Sequence, residues 1–269
     1  MLGASRDALA VCQDALDARR ADPGFTALPG ELLAVAALLD REASLRTMLA
    51  DAGQPAAARA ALVQEVLGGR VGALAVSVVA EAVDKRWSSD LDLLLGIEQL
   101  AFQASFTNAE ASGTLDATED ELFTFGRALD ASPDLQMTLT DPAHSAQTKA
   151  AVVRDLLAGR TSDATREVLE YVVGHLHGQR IDAAVDDLIA LAARQRERLV
   201  AEVTVAAPID DDQRRRLADV LSRLKGRTVR LNVDVDPAVL GGVHVRVGDE
   251  VIDGTVSARL EQARRVVLG

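Results

Sequence analysis

A block of about forty residues occurs twice, 90 positions apart, and this repetition limits the possible folds more than any other feature of the chain. Glu31-Leu32 answers Glu121-Leu122, and Leu39-Asp40 answers Leu129-Asp130. Leu45, Leu49 and Asp51 answer Leu135, Leu139 and Asp141, while Ala60, Ala61 and Val63 answer Ala150, Ala151 and Val153. Leu67-x-Gly69-Arg70 answers Leu157-x-Gly159-Arg160. About fourteen of forty aligned positions are identical, where roughly three or four would coincide by chance. A bias towards Ala and Leu would not place identities at Asp, Gly and Arg. The match fades beyond Arg70, although Val83 and Asp92 still fall on Val173 and Asp182.

Both copies carry apolar residues at helical spacing. In the first, Leu9, Cys12 or Gln13, and Leu16 line one side of a helix over residues 4–20, which Asp22-Pro23-Gly24 breaks. Leu32, Val35, Ala36 and Leu39 follow, then Leu45–Leu49, Ala57–Leu67, Val71–Lys85 and Leu91–Ala104. In the second, Thr118-x-x-Glu121 has the pattern of a capping box. Stripes follow at Leu122, Phe125 and Leu129, at Val152, Val153, Leu156 and Leu157, at Val168, Val172 and Leu176, and at Ile181, Val185, Leu188 and Ala192. Aromatic residues make up only 3% of the chain, so small and branched aliphatics must fill a helix-on-helix core.

Beyond residue 200 the period changes from helical to alternating. Glu202–Ala206 reads as a strand, and Asp210-Asp211-Asp212 precedes a helix with Leu217, Val220, Leu221 and Leu224 inward. Those acids suit the positive end of a helix dipole. Val229, Leu231, Val233 and Val235 alternate with polar residues and stop at Asp236-Pro237, because proline donates no ladder hydrogen bond. Gly241-Gly242 allows a tight turn, Val243, Val245 and Val247 form a second strand, Gly248-Asp249 turns it, and Val251-Ile252 pairs back. Asp253 or Thr255 can cap a last helix carrying Val256, Leu260, Ala263 and Val267. The fold class is therefore mostly α: two tandem helical bundles, residues 1–106 and 107–200, followed by a small α/β domain at 201–269.

The formal charge of −12 argues against a nucleic-acid partner, which needs concentrated Lys and Arg. The single cysteine, Cys12, has no internal partner for a disulfide. Residues 1–7 lack the apolar core of a signal peptide and carry an acid too early for a transit sequence. The longest apolar runs, 32–39 and 71–80, fall well short of the ~20 residues that span a bilayer. A soluble protein is expected, and the remaining residues of note read as packing or surface positions. His175-x-His177, two residues apart on an expected helix, falls on different faces and lacks a carboxylate or cysteine cluster to complete a metal site. His144 and His244 are isolated and expected at the surface, and Cys12 is a small packing residue. Gly241-Gly242 has no Lys-Ser/Thr after it and reads as a turn rather than a phosphate cradle. Trp87, before Ser88-Ser89, fits packing or a loop, with a partner anchor as the alternative. Arg194-Gln195-Arg196-Glu197-Arg198 reads as a solvated helix face. No catalytic constellation, metal or cofactor is expected.

The C-terminal block resembles the carboxy-terminal domain of the delta subunit of the F-type ATP synthase, whose mitochondrial relative is the oligomycin-sensitivity-conferring protein. The residues that carry the resemblance are Val203 to Ile209, Asp236, Pro237, Leu240, Gly241, Gly242, Val243, Gly248, Asp249, Asp253, Gly254, Thr255 and Arg259. Thr255 stands where serine is usual in the family. Leu139, Pro142, Lys149 and Leu156-Leu157 resemble its helical bundle, and the surplus repeat resembles the extended delta subunits of some bacteria. The resemblance implies a non-catalytic stator that links the catalytic head to the peripheral stalk. The implied partners are the alpha-subunit amino-terminal helices, the beta subunits and the stalk b subunit, with no membrane insertion. The implied place is the cytoplasmic side of the bacterial plasma membrane. It also implies a helix-binding groove between the first and fifth helices of a bundle. Here that groove maps to Leu9, Leu16, Val76, Val79 and Val83 in the first copy, or to Val168 and Val172 beside the shared Leu91–Ala104 helix in the second. A helical adaptor unrelated to ATP synthase stays open as the alternative.

Overall fold

The computed structural model describes residues 3–197, 199–225, 229–236, 242–247 and 250–253. The chain divides into two compact units, residues 1–195 and 196–269. Among the described residues, the first unit contains α1 (Ala4–Ala18), α2 (Leu28–Arg41), α3 (Ala43–Ala50), α4 (Ala56–Leu67), α5 (Ala73–Asp84), α6 (Asp90–Ala111), α7 (Leu115–Ala131), α8 (Pro133–Thr140), α9 (Ala146–Leu157), α10 (Asp163–Val172) and, up to Gln195, α11 (Ile181–Glu197).

The 90-residue offset recurs in three dimensions. Both ends of α8 and α9 lie 90 positions after those of α3 and α4. Contacts repeat as well as helices. Arg46 donates to the Leu39 carbonyl at 3.2 Å, and Gln136 donates to the Leu129 carbonyl at 2.9 Å. Asp51 accepts the Gly53 N–H and Asp141 accepts the Ala143 N–H, each at 2.8 Å. Gly69 and Gly159 both take positive φ, 73° and 67°, which L side chains rarely adopt. The Asp51/Asp141 and Gly69/Gly159 identities of the sequence are thus turn positions, where backbone geometry restricts the choice of residue.

Helix α6 serves both repeats. Shifted by 90, α1 falls within α6, while α6 itself corresponds to α11. It therefore closes the first bundle and opens the second. Its 22 residues span roughly 33 Å, and Leu93, Leu94, Ile97, Leu100, Ala104 and Phe106 on it are inaccessible to solvent. The sequence boundary at 106/107 falls inside this helix, and one continuous core runs from Ala8 to Ala192. The repeats are fused through a shared helix whose buried residues belong to that one core.

Two local readings change in three dimensions. Thr118-x-x-Glu121 is not a capping box: α7 begins earlier, after Thr114, and Glu121 accepts the Ser162 N–H at 2.9 Å. Its mate Glu31 accepts the Gly72 N–H at 2.9 Å, likewise with two helices in between. These glutamates cap the starts of α10 and α5, whose free N–H groups attract a carboxylate. Gln195, placed on a solvated face by its charged neighbours, is buried and donates to Glu110 at 2.6 Å and to Thr107 at 3.3 Å.

The second unit contains β1 (Leu199–Val205), α12 (Asp211–Lys225), β2 (Val229–Val235), β3 (Val243–Val247) and β4 (Glu250–Asp253). The four strands lie in the order β2-β1-β3-β4. β1 pairs parallel with β2 across α12, then antiparallel with β3, which pairs antiparallel with β4. Period-two alternation buries Ala201, Val203, Val205, Val229 and Val245 together with Leu221 of α12. The start of α12 is a reciprocal cap: Asp210 accepts the Gln213 N–H at 2.7 Å, and Gln213 accepts the Asp210 N–H at 3.0 Å. Val220 and Leu224, read as inward from sequence, are exposed. Leu217 and Leu221 define the buried stripe, and Val220 lies about 100° of helix rotation away from Leu221.

Candidate docking faces and a buried polar centre

The predicted groove residues are held mostly inside the bundles. Leu16 of α1, Val76, Val79 and Val83 of α5, and Val168 and Val172 of α10 are buried in the core, and Leu9 is half-buried. Their stripes hold helices to their own bundle, so they cannot also be an open surface. The apolar period alone carries no mark of which stripe faces inward and which faces a partner.

Comparison of the two repeats shows where a groove remains. Val11 of α1 is 42% exposed, whereas Ala101, its counterpart on α6, is 1% exposed. Ala15 is half-buried, and its counterpart Ser105 is fully buried. The difference comes from α2. At its start, a Cβ placed on Gly30 would lie 3.0 Å from the Glu167 carboxylate of α10. At its end, Asp40 lies 3.6 Å from His177, beyond the same helix. Helix α2 thus runs beside α10 where α10 meets α6, and it buries Pro29 and Leu33 as well as its bundle-facing Leu32, Val35, Ala36 and Leu39. On α7, Phe123 takes the place of Leu33 and is 54% exposed, with the Arg127 guanidinium 5.3 Å above its ring. The groove of the second repeat is covered by the chain's own α2. Along α1 and α5, the corresponding positions include exposed Val11 and Ser77 and half-buried Ala15 and Leu74.

Between the repeats lies a polar centre that sequence reasoning missed. Glu98 of α6 is 5% exposed and accepts two hydrogen bonds on one oxygen, from Tyr171 Oη at 2.6 Å and His177 Nε2 at 2.8 Å. His175 stacks on Tyr171 with ring centroids 4.1 Å apart. Burial pushes the Tyr171 phenol far up, so it stays protonated and donates. The hydrogen bond to Glu98 raises His177 above the usual histidine value. Burial raises Glu167, which accepts from Ser105 at 3.3 Å. The expectation that His175 and His177 sit on separate faces of one helix is corrected. α10 ends at Val172, and His177 takes φ 51° in the following turn. A buried glutamate in an otherwise apolar stretch of α6 was the available sequence signal.

The remaining candidates are plain. Cys12 is buried, and burial pushes its thiol up to about 11. Trp87 packs its ring on Gly96 and donates Nε1 to the Ala82 carbonyl at 2.8 Å, which makes it a core residue. His144 is exposed beside Asp141, and His244 is half-buried on β3. No group of acids, histidines and cysteine suited to a metal occurs among the described residues. None of their helices is long and apolar enough to cross a membrane. Within the C-terminal signature, Asp236 follows β2 and donates its N–H to the Val205 carbonyl at 2.9 Å. Gly242 takes φ 89°, Val243 opens β3 and Asp253 closes β4. Pro237, Leu240, Gly241, Gly248, Asp249, Gly254, Thr255 and Arg259 lie outside the described residues, as does Arg198, and so does the expected final helix.

The family model for the ATP synthase delta (OSCP) subunit matches residues 102–267. The chain belongs to that family. The match starts inside α6, so it takes in the second repeat and leaves α1–α5 before it. Other relatives match over residues 1–101 too. The ATP synthase subunit delta of Streptomyces griseus subsp. griseus is 44% identical over 271 residues, covering 100% of both chains. That of Parafrankia sp. is 44% identical over 275 residues, covering 98% of this chain and 99% of the other. A chain of the Toxoplasma gondii mitochondrial ATP synthase hexamer is 21% identical over 62% of this delta-family chain and 95% of its own length. Its TM-score is 0.28.

Proposed function

We propose that this chain is a non-catalytic stator subunit of the F-type ATP synthase, tying the alpha/beta head to the b-subunit stalk against rotor torque. The observation that carries this reading is end-to-end identity of 44% with proteins named ATP synthase subunit delta, both repeats included. A fused, fully packed double bundle suits a part that bears load and transforms no substrate. The partners are the alpha-subunit amino-terminal helices, the beta subunits and the b subunit. The chain sits at the membrane without entering it, on the cytoplasmic side. An alpha helix docks along α1 and α5, where Val11 is exposed, and not along α6 and α10, which α2 covers.

Co-purification tests the reading at its base: the tagged chain should recover head and stalk subunits from solubilised membranes, and recovery of neither would refute it. A labelled alpha amino-terminal peptide tests the groove. Val11→Glu should weaken its binding about tenfold or more, since an unpaired carboxylate enters an apolar contact. Phe123→Glu should leave binding unchanged. Equal effects would remove α1 and α5 as the site.

A further inference from the structure

The Glu98 centre has a property that its role in packing does not require. Its parts come from both repeats: Asp40 ends α2, Glu98 lies mid-way along the shared α6, and Tyr171 and His177 belong to α10 and its following turn. His177 meets Glu98 through Nε2 at 2.8 Å and faces the Asp40 carboxylate through Nδ1 at 3.6 Å. Its side chain is 12% exposed, which is sheltered but within reach of solvent protons.

We propose that His177 is a proton-operated clasp that fastens α2 of the first repeat to the second repeat. The chemistry follows from the two ring nitrogens. When the ring takes up a solvent proton, both nitrogens carry hydrogen, and one imidazolium bridges Glu98 and Asp40. When it is neutral, a single N–H remains. Kept on Nε2 it still serves Glu98, and a bare Nδ1 lone pair then confronts a carboxylate. The bond to α6 survives, and the link to α2 reverses from attraction to repulsion. The backbone fixes the ring for this task, since φ 51° at His177 and 80° at Gly178 form a tight left-handed turn.

The surroundings favour the charged form on balance. Glu98 of α6 and Asp40 of α2 raise the affinity of His177 for its proton, while burial and the Arg46 guanidinium of α3 oppose it. Tyr171 stays neutral, and the His175 ring lies 6.4 Å away, tilted by 43°. A raised folded-state value means that the clasp contributes fully below the ordinary 6.5 and fades as pH climbs through the folded value above it. Firm at lower pH and looser at higher pH, the junction between repeats would stiffen or relax with the proton concentration around it.

Hydrogen exchange of the full chain tests this at about pH 6 and about pH 8.5, after correction for intrinsic rates. Protection of residues 28–41 should drop roughly fivefold or more between the two conditions. In His177→Gln, which can still donate to Glu98 but cannot take up a proton, the drop should vanish and protection should stay at the high-pH level. The same drop in both proteins would overturn the proposal. Asp40→Asn supplies an independent reading: the His177 ring resonances should titrate at a lower pH than in the unaltered chain, and an unmoved midpoint would overturn it.

Discussion

Gly96 and Gly126 sit mid-helix on α6 and α7, and replacing each by alanine separates packing from propensity. In isolation both changes should stabilise, because alanine exceeds glycine by about 1 kcal/mol in a helix interior. At Gly96 the new methyl would meet Trp87 Cη2 at 2.3 Å and Cζ3 at 2.6 Å. Ordinary carbon contacts lie at roughly 3.5–4.0 Å, so the indole must retreat by about 1 Å or more. It has little freedom to do so, being 5% exposed and tied through Nε1 to the Ala82 carbonyl. Overpacking costs about 1–3 kcal/mol, and a further 1–3 kcal/mol or so if the buried N–H loses its acceptor. After the propensity gain, Gly96→Ala should destabilise by about 0–2 kcal/mol if the indole keeps its acceptor, and by about 1–5 kcal/mol if it does not. At Gly126 the nearest atoms, Val185 Cγ1 and Ile189 Cδ1, lie at 3.6 and 3.8 Å, which is ordinary contact. Gly126→Ala should therefore gain up to about 1 kcal/mol. Urea unfolding followed by the emission of Trp87, the only tryptophan, reports the first unit directly. Matching effects at the two sites, or a stabilised Gly96→Ala protein, would refute the reasoning.

The paired helix caps and the lone thiol give further checks. Glu121 accepts from the Ser162 N–H and hydroxyl and from the Thr165 hydroxyl, so Glu121→Ala should cost about 2 kcal/mol in thermal unfolding. Glu31 accepts the Gly72 N–H, and Glu31→Ala should cost about 1 kcal/mol; the reverse order would contradict the assignment. Cys12, buried and with its thiol pushed up to about 11, should resist alkylation near pH 8 in the native chain and react promptly in denaturant. Equal rates in the two states would show that α1 does not stay packed.

Much of the architecture was written in local chemistry. Hydrophobic period gave helices and strands, because burying one face of a helix or strand imposes its spacing on the residues. Duplicated Asp, Gly and Arg positions marked the repeat, because turns and caps accept few residue types. The C-terminal signature and its order of turns sufficed to point to the delta family. What the tertiary structure alone decided was which neighbour each apolar or polar group would meet. Val168 and Leu9 follow the same helical period, yet one is sealed in the core and the other half-open. Glu121 looked like a cap for its own helix and serves another, 41 residues on. Val11 is 42% exposed while Ala101 is buried, because α2 lies beside α6 and α10, a placement that its own sequence does not announce. Periodicity is a property of neighbours along the chain, whereas the caps join residues 41 positions apart and the Glu98 centre joins residues 73 and 79 positions apart, so both depend on segments that only the tertiary fold brings together.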